Sequence, residues 1–435
     1  MSEQNQKSTQ PQELELRVSG LAAGGRGLAR GEDGRVVFVA GALAGEKVRA
    51  AISAEKRQYL EAETLEVLTP CPQRSEPACP LYGKCGGCDL MHLNYQAQLA
   101  AKKEWADHAL RRLGAPSAQA VASPQEWGYR NRVRFQAGRG GIGFFARGSH
   151  DMVRVEHCPV AAEGINAFLA ALAGRDFSPW PQLAWLELIS RAGQGTLALA
   201  GLAEPLADET EMALKDLLLE AGAQGVRLQL DGGMEPWPYD QAGGLVYYEG
   251  EDLSLRAYPG VFCQVNWPAN ALLISLALEM AGEVRGEARA LDLYAGAGNF
   301  SLPLAARGWG VLAVEGDAQA VAAGRAQAEL EGLAESVVFQ RGQAGRALRE
   351  LAKDKETCDL ALLDPPRAGA KGLMSDLAAL RPRKVIYVSC HAAALARDAA
   401  KLLEHGYKAE RVTVIDMFPH TSHLETVMAL TREDP

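Results

Sequence analysis

Four short apolar runs near the C-terminal end, at residues 288–294, 311–314, 360–363 and 385–389, limit the fold more than any other feature of this chain. Helix-like segments separate them. Strand-like runs alternating with helices specify a parallel sheet covered on both faces, whose ligand lies beyond the carboxyl ends of the strands. What stands at those ends is a glycine turn from Asp292 to Phe300, then Glu315, Asp364-Pro-Pro-Arg367 and Cys390.

The glycines of Asp292-Leu-Tyr-Ala-Gly-Ala-Gly-Asn-Phe300 let the backbone approach a ligand closely, but the third glycine of a dinucleotide fingerprint is missing. Glu315 is placed to accept hydrogen bonds from both ribose hydroxyls of an adenosine, as in dinucleotide sites and S-adenosylmethionine sites alike. The Asp364 turn is common in methyltransferases acting on bases, and in amino-methylating enzymes it holds an exocyclic nitrogen, so amino groups of adenine or cytosine are an alternative target. Cys390 favours carbon instead. A lone cysteine is ordinarily a buried packing residue, but here its partners suggest a nucleophile. A thiolate adding to C6 of a uracil makes an enolate, and C5 then attacks a sulfonium methyl group. Loss of the C5 proton requires a base, for which Glu425 is the choice and His423 the competitor.

Upstream, residues 1–13 are polar and read as a disordered tail. Short β-rich runs at 16–18, 35–39, 47–52 and 59–67, split by glycine turns, suggest a small OB-like barrel of the kind that binds oligonucleotides, with Arg26, Lys56 and Arg57 as basic candidates. Of eight cysteines, Cys71, Cys79, Cys85 and Cys88 crowd together. The run Cys79-x5-Cys85-Gly-Gly-Cys88 suits zinc or an iron–sulfur cluster. Cys158 is the best fourth ligand and Cys71 the next, while His92 or His157 could complete a zinc site. Spacing predicts a helix over 95–113 that stops at Gly114. Residues 129–135 then alternate like a strand, with Arg130, Arg132 and Arg134 on one face, and Arg139, Arg147 and Arg154 follow. With Tyr129, Phe135, Phe144 and Phe145 interleaved, this is either a solvated face or an RNA-binding one. A net charge of -9 argues against indiscriminate coating of nucleic acid. Residues 161–258 offer no catalytic constellation, and Cys263 reads as packing. No secretory signal or apolar run of about 20 residues is present, so a cytoplasmic protein without membrane contact is expected.

In combination these motifs resemble the bacterial RNA (uracil-C5)-methyltransferases, specifically the branch acting on 23S ribosomal RNA with an N-terminal TRAM barrel and an iron–sulfur central domain. The resemblance rests on Cys79-x5-Cys85-Gly-Gly-Cys88, Tyr129-Arg130-Asn131-Arg132, Phe262-x-Gln264-x-Asn266, Asp292 to Phe300, Asp364-Pro-Pro-Arg367, Val388-Ser-Cys390 and Phe418 to Glu425. It implies an α/β fold: a TRAM barrel over 14–70, an α+β central domain with the cluster and an RNA-binding face over 71–258, and a Rossmann-like methyltransferase domain over 259–435. It also implies a 4Fe-4S cluster on Cys79, Cys85, Cys88 and Cys158, and S-adenosylmethionine on Gln264, Tyr294, Asn299, Glu315, Gln343 and Asp364. Cys390 would be the nucleophile, Glu425 the base, and Arg130, Asn131, Arg132 and Arg134 RNA contacts. A monomer is expected, with ribosomal RNA favoured over transfer RNA because the transfer RNA branch resembles the last two domains without barrel or cluster. An RNA cytosine-C5 methyltransferase and an inactive RNA-binding assembly factor are the rivals. Two departures stand out: His391-Ala392 replaces the usual Asn-Pro after the nucleophile, where the histidine could lower the thiol pKa, and Gln343 replaces an asparagine.

Overall fold

A computed structural model describes residues 12–432 apart from residues 139, 231, 232, 235–237, 241, 242 and 285. The expected tail therefore lies outside the described residues up to position 11, as does Arg139, and Glu13 already opens the first strand.

Strands Glu13–Arg17, Gly20–Leu21, Gly27–Arg30, Val36–Ala40, Lys47–Glu55 and Tyr59–Thr69 form one six-stranded sheet. Its two edge strands, Glu13–Arg17 and Gly20–Leu21, follow one another in the chain, so the sheet must curl. Val18 donates to Glu46 at 2.9 Å on one side, and Ser19 to Leu28 at 2.7 Å on the other. Alternation turns Val37, Val39, Val48 and Ala50 into the enclosed core. The buried carboxylate of Glu46 accepts from Arg74 Nε at 2.6 Å, fastening this barrel to the cysteine-rich segment.

The central seven-stranded sheet runs in the order Met152–Arg154, Gly141–Phe145, Arg132–Gly138, Leu183–Arg191, Gly195–Leu202, Ala223–Leu230 and Gly233–Met234. Helices Glu163–Leu172 and Asp208–Glu220 cover it with Ile165, Phe168, Leu214 and Leu218, packed on Phe135, Leu186 and Leu188.

The C-terminal sheet has eight strands, ordered Val337–Arg341, Gly310–Glu315, Arg289–Leu293, Leu360–Leu363, Lys384–Ser389, Glu425–Arg432, Tyr407–Ile415 and Gln119–Val121. The first five are mutually parallel, and Glu425–Arg432 is antiparallel to both its neighbours. Consequently the carboxyl ends of the parallel strands and the start of Glu425–Arg432 share one edge. The strand order reverses between Arg289–Leu293 and Leu360–Leu363, which is where a wound sheet opens a ligand crevice. Two upstream pieces join this domain: strand Gln119–Val121 at the sheet edge, and the hairpin Leu245–Glu249 with Ser254–Ala257, which packs in the same core as Trp267 and Phe300. The predicted helix forms as Tyr95–Leu110 plus a short 3-10 turn, and Gly114 ends it at φ 65. Among the described residues no helix is long and apolar enough to cross a membrane.

Candidate active site

The glycine turn begins where strand Arg289–Leu293 ends. Tyr294 takes φ 64, a costly value for a side chain-bearing residue, and its amide bonds Val314 O at 3.0 Å. Gly298 is required by space: a Cβ there would stand 2.9 Å from Leu302 Cγ and from Phe339 Cζ. Glu315, at the end of the adjoining strand, accepts the amides of Gly296 at 3.0 Å and Asp317 at 2.8 Å. The crevice beside this turn is lined by Gln264, Tyr294, Asn299 and Asp364, with Tyr247, Tyr258 and Phe262. Gln264 donates to Asp364 at 3.3 Å. Gln343 precedes helix Ala344–Lys353 at the end of the next strand.

Asn299 is held from two sides that the sequence reading did not name. Its Oδ1 accepts from Asn270 at 2.8 Å and from the Tyr247 hydroxyl at 3.1 Å. Asp292 is fully buried and accepts from the Ser301 hydroxyl at 2.5 Å, while its second oxygen has no partner among the described residues; burial raises it to about 7.

Strands Lys384–Ser389 and Glu425–Arg432 pair with Ser389 opposite Thr426. Cys390 and Glu425 lie one residue beyond that pair, on the edge that carries Asp364. Burial raises Asp364 to about 7, and burial followed by the charge of Asp364 holds Glu425 well above the carboxylate range. The Cys390 thiol is pushed up to about 11 by burial, then by Glu425 and Asp364. This corrects the expectation that His391 lowers it. His391 instead caps helix Ala392–Glu404, its Nδ1 accepting from Ala394 N at 3.2 Å, the task an asparagine performs well. His423, the competing base, has its imidazole pKa lowered, chiefly by burial.

Cys79, Cys85, Cys88 and Cys158 line one apolar pocket with Leu81, Met91 and Phe144. None is in a disulfide, and Gly87 N points at Cys85 Sγ at 3.4 Å. Burial raises the thiols of Cys85, Cys88 and Cys158, while the charge of Arg130 opposes it. Cys71, the other candidate ligand, packs with Leu43 and Leu93, and His92 Nδ1 is bonded to the Tyr82 hydroxyl at 2.5 Å. Among the described residues, no three His, Cys, Asp or Glu side chains close to the arrangement of a single-ion site.

The arginine stripe is largely consumed by the protein itself. Register places Arg134 opposite Glu187, whose buried carboxylate bonds Arg132 at 2.9 Å and Arg134 at 3.0 Å and also accepts Gly260 N at 3.0 Å. Arg130 lines the cysteine pocket, and its buried Nε has no partner among the described residues. Asn131 ties strand Leu183–Arg191 to the segment before helix Trp267–Ala281 through Ser190 O and Val265 O. Of Arg130, Arg132 and Arg134, Arg134 is the one with about half of its side chain exposed (47%), stacked 4.0 Å over Trp185. The signal for this outcome, Glu187, lies in a different strand and carries no local motif.

A switch-point crevice with a glycine turn, an acidic second strand and Asp364, behind a six-stranded barrel, defines a Rossmann-like methyltransferase of the multidomain RNA-modifying class. Comparison with known proteins agrees. Residues 245–433 match the tRNA (Uracil-5-)-methyltransferase family model and residues 7–65 the TRAM domain. The chain is 36% identical to the 23S rRNA (uracil(1939)-C(5))-methyltransferase RlmD of Aeromonas salmonicida, covering 97% of each. It is 35% identical to the protein of that name in Cronobacter sakazakii, covering 97% of this chain and 96% of that one. The chain therefore belongs to the RlmD family of 23S rRNA (uracil-C5)-methyltransferases. Its fold also matches the Pyrococcus abyssi tRNA (uracil-54, C5)-methyltransferase, solved with S-adenosyl-L-homocysteine, at a TM-score of 0.75 and 23% identity over 96% of this chain and all of that one. A likeness that spans nearly the whole chain includes the barrel region, so the front domain does not by itself separate ribosomal from transfer RNA enzymes; the curated relatives carry that distinction.

Proposed function

We infer that this protein transfers a methyl group from S-adenosylmethionine to C5 of a uridine in 23S ribosomal RNA. The observation that carries the reading is the meeting of Cys390, Glu425 and Asp364 at one sheet edge beside the cofactor crevice. S-adenosylmethionine, when bound, supplies an electrophilic methyl group and a positive charge. Gln264, Tyr294, Asn299, Glu315, Gln343 and Asp364 would hold it. Its positive charge beside Asp364 would offset the part that Asp364 plays, after burial, in raising Cys390 and Glu425. The Cys390 thiol, giving up its proton to solvent, would add to C6 and move the ring electrons to C5, which would take the methyl group as its bond to the sulfonium sulfur breaks and S-adenosylhomocysteine leaves. Glu425 takes the C5 proton, the C5–C6 double bond re-forms, and the C6–sulfur bond breaks to release Cys390. Of the three stripe arginines, Arg134, paired with Glu187 yet half exposed, is the one that would meet RNA, and Phe145 and Arg147 are exposed as well.

The cysteine pocket fits a 4Fe-4S cluster better than one ion: four thiols free of disulfides face an apolar pocket, a backbone amide is directed at one sulfur, and an arginine stands by to balance negative charge. Cys79, Cys85, Cys88 and Cys158 would hold it.

A transcript carrying 5-fluorouridine at the target tests the chemistry, since fluorine cannot leave as a proton does. A denaturation-resistant complex mapping to Cys390 is expected, and none with Cys390→Ala. Ribosomal RNA from cells lacking the gene should be the accepted substrate; exclusive methylation of transfer RNA would overturn the substrate assignment.

A further inference from the structure

The turn leading into Glu425 is held by the segment that carries the pocket cysteines. Asp89 directly follows Cys88, and its two carboxylate oxygens accept the Ser422 amide and hydroxyl, both at 2.6 Å. The amides of Asp89 and Leu90 donate to His420 O at 3.2 and 3.0 Å. Tyr129, which precedes the pocket residue Arg130, donates its hydroxyl to Pro419 O at 2.9 Å. Gln98 takes the His420 amide at 2.8 Å, and Lys102 bonds Asp416 at 2.7 Å and Phe418 O at 2.9 Å.

Within this grip His420 adopts φ 67, and the exposed Trp127 stacks on its ring with centroids 3.8 Å apart. A left-handed conformation at a non-glycine residue is strained and persists only where neighbours over-determine it. Residues 75–90 contain turns and bends but no helix or strand. Backbone bonds such as Gly86 N to Phe145 O and the bridge of Cys85 with Ala146 tie the segment to a neighbouring strand, and Cys88 then leads straight into the Asp89 contacts. Removing whatever the four thiols hold frees Cys88 and, with it, the direction in which Asp89 points.

We propose that Asp89 is a positioning residue that transmits the occupancy of the four-cysteine pocket to the turn bearing Glu425, so that loss of the bound group loosens the catalytic base. The proposal rests on reading the pocket as a cofactor site. It makes methyl transfer responsive to oxidants and to iron supply, although the pocket takes no part in the chemistry.

The test uses full-length protein purified without oxygen, compared before and after treatment with chelator and oxidant, with iron, zinc and acid-labile sulfide counted in each sample. Hydrogen exchange in residues 416–425 should accelerate at least ~10-fold on stripping, and the emission that Trp127→Phe removes should shift. Asp89→Ala with its metal content intact should reproduce both changes and lower kcat ~10²-fold, with KM for S-adenosylmethionine moving less than ~2-fold. Asp89→Asn, whose amide still accepts the Ser422 N–H and can donate to its hydroxyl oxygen, should restore protection and most of kcat. Unchanged exchange on stripping, or in metal-loaded Asp89→Ala, overturns the proposal. Should Asp89→Ala fail to load the pocket, Ser422→Ala cuts the same contact from the far side, and normal exchange there is equally fatal. Protein bearing zinc and no iron contradicts the cluster reading alone, because stripping the zinc provides the same comparison; protein holding no metal overturns the coupling.

Discussion

Cys390 and Glu425 are next neighbours on two antiparallel strands, one step past the pair Ser389 and Thr426. Cys390 follows the end of strand Lys384–Ser389 and Glu425 opens strand Glu425–Arg432, and after burial the charge of Glu425 adds to the upward push on the thiol.

The roles separate on mutation. Glu425→Gln removes the carboxyl that would take the C5 proton but leaves the thiol in place, so adduct formation survives while elimination fails. Turnover should fall ~10²–10⁴-fold, and a denaturation-resistant protein–RNA complex should accumulate with ordinary uridine. Cys390→Ala should lose turnover without any such complex. A denaturing gel of labelled RNA distinguishes the two.

Cofactor affinity should depend on pH through Asp364. Burial holds this carboxyl near 7 in the free protein. A cation prefers the ionised form, so affinity rises as pH climbs toward 7, levels off above it, and binding below 7 releases a proton. Titration calorimetry in two buffers of different ionisation enthalpy reads that proton directly. Asp364→Asn should bind more weakly and lose the pH dependence.

Glu187 neutralises Arg132 and Arg134 and holds Gly260 near the cofactor loop. Glu187→Gln keeps a hydrogen-bonding oxygen but leaves guanidinium charge uncompensated, and removing one member of a buried pair costs about 3–5 kcal/mol. Arg134 is partly exposed, so the lower end is expected. The urea midpoint should drop, and KM for S-adenosylmethionine should rise because Arg132 also holds Val261 O.

Lys102 and Asp416 form an ion pair with both side chains fully enclosed, 314 positions apart in the chain. Lys102→Met strands a buried carboxylate and should destabilise by about 3–5 kcal/mol. The double variant Lys102→Met with Asp416→Leu should recover part of that loss. Denaturant unfolding of the three variants gives the coupling energy.

The amino-acid sequence alone determined the residues whose position depends on their own strand. Cys390, Asp364 and Glu315 each close a short apolar run, and Glu425 opens one, so local periodicity suffices to place them at strand ends. The barrel was legible for the same reason, except for strands Gly20–Leu21 and Gly27–Arg30, which hold no β-branched residue to mark them. Tertiary structure decided what depends on register between distant segments. Alternation puts Arg132 and Arg134 on one face, but only pairing with strand Leu183–Arg191 sets Glu187 against them and turns an expected RNA surface into an internal ion-pair network. Likewise nothing near Asp89 in the chain announces Ser422, and nothing near Lys102 announces Asp416. A period of two or of 3.6 residues is written locally, whereas the partner of a buried charge is fixed only when the whole chain has folded and no water remains to solvate it.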